Sequence, residues 1–203
     1  YTKGLSITTS LFLCTRMKKM YKLSTTYKKI LADTITPVSV YLKIRDQFPN
    51  SLLLESSDYH TSDNSFSYIC CNPIASIKVD KELITETYPD NSEVTTAVSP
   101  DINIPEVIHR FSRKFETDAS DFKFINNGLF GYIGYDGVRY FENIEIKKKP
   151  GNLQLPDIYY AVYQNVIAIN HFKNEAFIFD HSYDGSSNLE KIEQLLKAQN
   201  VTS

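Results

Sequence analysis

Residues 158–179 read IYYAVYQNVIAINHFKNEAFIF, and this stretch decides the fold. Two runs rich in β-branched and aromatic residues, Ile158 to Ile169 and Ala176 to Phe179, flank the short polar break His171-Phe172-Lys173-Asn174. Residues of these types favour strands, and a break of this length between two such runs is a hairpin signal. The stretch therefore predicts a long strand folded back on a shorter one.

Working outward, a helix follows the hairpin, with Leu189, Ile192, Leu195 and Leu196 as its apolar stripe. A second helix is expected where Ile104, Val107, Ile108, Phe111 and Phe115 line one face, after a loop rich in Ser, Thr and Pro. Thr36-Pro37 opens a third, with the threonine as N-cap and proline at the first helical position. Val40, Tyr41, Ile44 and Phe48 then recur at helical spacing up to Pro49-Asn50. Between the first two helices in chain order, FSYICC, Ile74 to Val79 and Leu83 to Tyr88 read as strands of an antiparallel meander, the last two divided by Asp80-Lys81. Helices that alternate with groups of antiparallel strands argue for an α+β layered fold and against a doubly wound parallel sheet.

Four of the seven glycines fall at 128, 131, 134 and 137, within GLFGYIGYDGVRYFE. A period of three suits neither a helix face nor a strand face. Glycine in a strand marks a bulge or a close approach of another backbone or ring. Phe130, Tyr132, Tyr135, Tyr140 and Phe141 supply rings, so Gly128, Gly131 and Gly134 are expected in a tightly packed, bulged central strand. Asp136, Arg139 and Glu142 are expected to form an ion-pair network at its end; without a neighbouring nucleophile or histidine the cluster reads as structural.

Bulk properties exclude several classes. The chain has 203 residues, net charge −2 and 23% charged residues, which gives no electrostatic reason for nucleic acid or an anionic membrane. The run Lys147-Lys148-Lys149 reads as a solvated loop. Three cysteines, two of them adjacent, make no disulfide framework and no metal spacing, which implies a reducing, cytoplasmic setting. Cys70 and Cys71 should point to opposite faces of a strand as small buried hydrophobes. The four histidines, 60, 109, 171 and 181, are scattered, His109 in a helix and the others in or beside turns. Residues 1–21 form an expected disordered leader or extension, the apolar island at 11–14 being too short for a signal peptide or a membrane span.

Residues 51–58, SLLLESSD, pose a different question. A buried-looking strand ends on Glu55 and Ser56, flush against its most apolar stretch. Such a pair suits either the start of a turn or the recognition of a small polar ligand at the rim of a core.

SLLLESSD, followed by NGLFGYIGYDGVRYFE and LPDIYYAVYQNVIAINHFKNEAFI, resembles the N-terminal region of anthranilate synthase component I, from roughly Lys22 to the C-terminus. The resemblance implies two orthogonally packed antiparallel sheets with helices outside, an α/β/β/α layering left incomplete by residues 22–203. It also implies an allosteric tryptophan site to which Glu55, Ser56 and Pro37 contribute. A carboxylate can accept from an ammonium, and proline offers a flat apolar surface to an indole. In that family the residues that bind chorismate and magnesium lie in the C-terminal half, and this chain ends near where that half begins. The resemblance thus predicts a regulatory part, inactive by itself, with no catalytic residue and no cofactor of its own. Mg2+, L-tryptophan as effector and a glutamine amidotransferase, component II, enter only by family. Self-association through exposed apolar surface is expected as well. Component I of aminodeoxychorismate synthase, in folate synthesis, is the related alternative; a stand-alone amino-acid-binding or interaction domain is the alternative of another class.

Overall fold

In the computed structural model, residues 19–55, 65–142, 144 and 155–198 are described. Among the described residues nine strands join in one sheet, ordered β5-β4-β3-β8-β9-β1-β6, with β2 beside β3 and β7 beside β8. The strands are β1 (Tyr21–Leu31), β2 (Leu52–Leu54), β3 (Phe66–Asp80), β4 (Leu83–Thr87), β5 (Glu93–Ala97), β6 (Phe115–Thr117), β7 (Phe130–Ile133), β8 (Ile158–Asn170) and β9 (Glu175–Ser182). Three α-helices accompany them among the same residues: α1 (Pro37–Arg45), α2 (Ile104–Ser112) and α3 (Leu189–Lys197). The α+β class is seen directly.

The hairpin is the spine. β8 pairs along its length with β3, from Ile158 opposite Val79 to Asn170 opposite Phe66. Its other side is shared, β7 taking Ile158–Ala161 and β9 taking Asn165–Asn170. β9 in turn pairs antiparallel with β1, and only Tyr21–Leu23 of β1 pair in parallel, with β6. From Val166 to Ala168 every β8 residue is fully buried, as befits a strand covered on both faces. Val166 and Ile167 each contribute roughly 1.5–3 kcal/mol by their burial.

Three apolar clusters fill the space around the sheet. α1 and α3 set Val40, Ile44, Ile192 and Leu196 against Ile69, Ile167 and Ile178. α2 sets Val107 and Phe111 against Ile77, Val79 and Tyr21. An aromatic cluster, Phe177, Phe179, Tyr163 and Phe130, is capped by Phe122 and Phe124 from the segment before β7. Cys70 belongs to the aromatic cluster and Cys71 to the α1/α3 cluster, on opposite faces as expected. Both thiols are free, and burial raises the pKa of each, that of Cys71 to about 12.

Local chemistry fixes the helix ends. Thr36 and Ser39 form a reciprocal capping box: Thr36 Oγ1 accepts the Ser39 N–H and Ser39 Oγ accepts the Thr36 N–H, both at 3.2 Å. α3 is capped from the sheet, because Asp180 Oδ2 accepts the Asn188 N–H at 2.8 Å.

The structure departs from several sequence expectations. Tyr21, placed at the end of a disordered leader, opens β1 and is 2% exposed, stacked on Tyr88 with ring centroids 5.3 Å apart. FSYICC and Ile74–Val79 are one strand, β3, with a register shift between Pro73 and Ala75 that absorbs the proline. The Ser/Thr-rich loop contains β5, and Phe115 opens β6 instead of closing α2. The 128–142 stretch is not a central bulged strand. It supplies only the four-residue β7 and then a 3-10 helix, Tyr135–Tyr140. The described residues form one sheet, and β6 adds a parallel pairing to an otherwise antiparallel arrangement. Lys147-Lys148-Lys149 and most of the 1–21 extension lie outside the described residues.

Candidate functional site

Pro37 and Glu55 stand at the ends of two elements that touch. Pro37 is buried at the start of α1, and Glu55 follows β2 directly, exposed. α1 packs on both β2 and β3. Within β2, Leu53 joins the α1/α3 cluster while Leu52 and Leu54 join the aromatic cluster, the alternation a strand requires. Ser51, at the head of this strand, carries a buried hydroxyl with no hydrogen-bond partner among the described residues. Ser56 lies outside the described residues.

The glycine-rich stretch has a packing cause. A Cβ on Gly131 would lie 2.0 Å from the Tyr159 carbonyl oxygen, so β7 can approach β8 only with glycine there. A Cβ on Gly137 would meet the Asp157 carbonyl oxygen at 2.9 Å. At Gly134 the same carbonyl would be 3.4 Å away, ordinary contact. Gly128 needs its freedom for a φ of +133°, with open space around it.

The Asp136–Arg139–Glu142 network does not form among the described residues. Arg139 Nη2 donates to Asp157 Oδ2 at 2.6 Å, and the Tyr140 hydroxyl donates to the same oxygen at 2.9 Å. Arg139 finds its acid just before β8 instead, in a pair whose side chains are both mostly buried. Asp136 acts on Arg139 only through longer-range charge.

Two polar features escaped the sequence reading. Asp180, 1% exposed, accepts from Gln164 Nε2, Asn165 Nδ2, Ser187 Oγ and the Asn188 N–H, at 2.8–3.2 Å. His181, expected beside a turn, is 1% exposed within β9. Its Nε2 lies 2.8 Å from the Asn126 carbonyl oxygen, which can only accept, so Nε2 carries the proton. Nδ1 then accepts from Thr25 Oγ1 at 3.0 Å. Burial lowers the His181 pKa; the Asn126 bond and the charge of Asp180 oppose that only in part. Strand alternation with polar residues at 180–182 was the available signal, and it reads equally well as a strand running out into a turn.

His181 also lines a cavity of about 160 Å3, where Leu23 of β1, Phe115 and Thr117 of β6, the Asn127–Leu129 turn and Val162 and Tyr163 of β8 converge. Neither α1 nor β2 contributes to its lining. Among the described residues no three His, Cys, Asp or Glu side chains gather as a metal ion would need. No helix among them is long and apolar enough to cross a membrane.

No protein-family model matches the chain. It is 30% identical over 187 residues to anthranilate synthase component 1 of Lactococcus lactis subsp. lactis (strain IL1403), covering 85% of this chain and 38% of that protein. It is 34% identical over 143 residues to anthranilate synthase component 1 of Pseudomonas putida, covering 69% of this chain and 28% of that one. Among solved structures, anthranilate synthase component I from Streptococcus pneumoniae TIGR4 aligns with a TM-score of 0.47 at 21% identity, over 83% of this chain and 36% of that one. The chain thus spans well under half the length of the relatives it matches. By these sequence likenesses the chain belongs to the anthranilate synthase component I family, as a counterpart of that family's N-terminal region.

Proposed function

We propose that this chain is the tryptophan-sensing part of an anthranilate synthase component I. The observation that carries the reading is the packing of α1 on β2, the element headed by Pro37 against the one that Glu55 follows. In this reading the chain stays extended for one residue past Leu54, which would turn Glu55 to the side that Leu53 shares with α1. There the Glu55 carboxylate receives the effector's ammonium, Pro37 faces the indole, and Ser56 contributes a hydroxyl to either polar end. A mostly apolar site with a few converging polar groups is the usual form of a small-ligand pocket.

The complete enzyme of this reading joins ammonia to magnesium-bound chorismate and eliminates pyruvate, leaving anthranilate for tryptophan synthesis in the cytoplasm. Ammonia comes from a glutamine amidotransferase, component II. Binding of tryptophan here then restrains that reaction by feedback. The described residues contribute to sensing and supply no chorismate chemistry.

Exposed apolar side chains support a further part of the reading, association through that surface. Tyr135 is 87% exposed, Leu155 63% and Ile144 53%, and Ile133 and Phe141 are exposed beside them in sequence. Light scattering and hydrophobic-dye binding test it; a strictly monomeric, dye-silent solution contradicts it. The sensing role is tested by titrating L-tryptophan and following its indole fluorescence, since the chain itself contains no tryptophan. Saturable binding that L-phenylalanine fails to compete supports the reading, and its absence contradicts it.

A further inference from the structure

Asn127-Gly128 is the one Asn-Gly step in the chain. Asparagine is thermolabile because the amide nitrogen of the next residue can attack its side-chain carbonyl carbon, and glycine, having no Cβ, hinders that approach least. In a folded protein the attack needs a free amide nitrogen, a side chain able to turn toward it, and water. The turn before β7 offers all of these.

Gly128 is exposed, and its N–H makes no hydrogen bond among the described residues. Its φ is +133°, and no atom stands within 4 Å of where a Cβ would be, so nothing crowds the approach. Asn127 is half-buried, and among the described residues its side chain is held by a single hydrogen bond, from Nδ2 to Thr117 Oγ1 at 2.8 Å. The two Asp-Gly steps are closed by contrast. At Asp136-Gly137 the Gly137 N–H is engaged, donating to the Gly134 carbonyl oxygen at 2.9 Å. At Asp184-Gly185 hydrogen bonds from Ser186 hold the Asp184 carboxyl below its usual range, so it stays ionised and is a poor electrophile.

We propose that Asn127 is a site of self-modification, converting to isoaspartate in the folded chain through a cyclic imide. The Gly128 nitrogen bonds to Asn127 Cγ, the Cγ–Nδ2 bond breaks, and the amide proton passes through solvent to the departing ammonia. Water then opens the imide. Opening at the main-chain carbonyl routes the backbone through the Asn127 side chain and lengthens it by a carbon; opening at Cγ gives aspartate. Either product adds a negative charge. The altered residue adjoins Asn126, whose carbonyl oxygen accepts the His181 Nε2–H at 2.8 Å, so the change is felt by a buried residue of β9. This chemistry is independent of the proposed tryptophan site.

The test holds the whole folded chain in warm, mildly alkaline buffer and maps its peptides by mass spectrometry, with the chain in denaturant as reference. Asn127 is expected to lose its amide at least about tenfold faster than any other asparagine, with isoaspartate as the main product and ammonia released in equal amount. Gly128→Ala, whose methyl group meets open space, is expected to fold and to slow the loss about tenfold. Should that variant not fold, the folded and denatured parent chains decide the matter between them. A folded chain that keeps Asn127 intact while the denatured chain loses it would overturn the proposal, because the fold would then shield the step. Amide loss spread evenly over the asparagines, or unchanged by Gly128→Ala, would overturn it too.

Discussion

Asp180 Oδ2 accepts the Asn188 N–H at 2.8 Å, so a fully buried carboxylate of β9 caps the last helix from within the sheet. The same side chain accepts from Gln164 and Asn165 of β8 and from Ser187, which locks strand, loop and helix to one acid. Asp180→Ala is expected to lower unfolding free energy by about 3 kcal/mol, because four donors lose their acceptor at once. Urea denaturation checks this. A loss under about 1 kcal/mol would show that the network contributes little.

The two kinds of glycine make opposite demands. At Gly131 an added methyl collides with the Tyr159 backbone, which is paired on both sides within the sheet and has no room to give. Gly131→Ala should therefore cost about 3 kcal/mol or more, comparable with severe overpacking. Gly128→Ala meets open space and only backbone strain, about 1–2 kcal/mol. Thermal melts of the two variants should rank them in that order, and the reverse ranking would refute the close approach of β7 to β8.

His181 makes stability depend on pH in a stated direction. Its folded pKa is lowered by burial, whereas the unfolded chain titrates near 6.5. Between the two values the unfolded state binds more protons, so stability is full above about pH 6.5 and declines as the pH falls toward the folded pKa. Denaturant midpoints from pH 7.5 to 5 should show this decline, and His181→Gln should flatten it. A midpoint that rises on acidification through this window would contradict the buried neutral imidazole.

Ser51 holds a buried hydroxyl with no partner among the described residues. Ser51→Ala removes an unsatisfied group without opening a large cavity, and should leave stability unchanged or raise it by roughly 0.5–1 kcal/mol. Destabilisation beyond about 1 kcal/mol would mean that the hydroxyl is paired in solution.

These side chains show how unevenly the sequence discloses the structure. The β8–β9 hairpin and the α1 capping box are legible because each is written in neighbouring residues: dense β-formers around a short break, and Thr36, Pro37 and Ser39 in close succession. β1 was not legible. YKLSTTYKKIL buries Tyr21 and Leu23 but leaves most of its later side chains exposed, so pairing with β9 supplies the strand that alternation does not announce. β5 hides for the same reason, four of its five residues being exposed. Arg139 was assigned by sequence spacing to Asp136 and Glu142, yet it pairs with Asp157, which stands 18 residues further along the chain and which no local spacing points to. The proposed effector site was legible only as a motif, Glu55-Ser56 after three leucines, and the structure adds the packing of α1 on β2 beside it.

The most direct measurement is a tryptophan titration of the chain alongside Glu55→Ala and Ser56→Ala, read from indole fluorescence. Weak, saturable binding is expected for the parent chain, reduced about tenfold or more by Glu55→Ala through loss of a charge-assisted hydrogen bond, and reduced also by Ser56→Ala. Binding of full strength in both variants would contradict the sensing role.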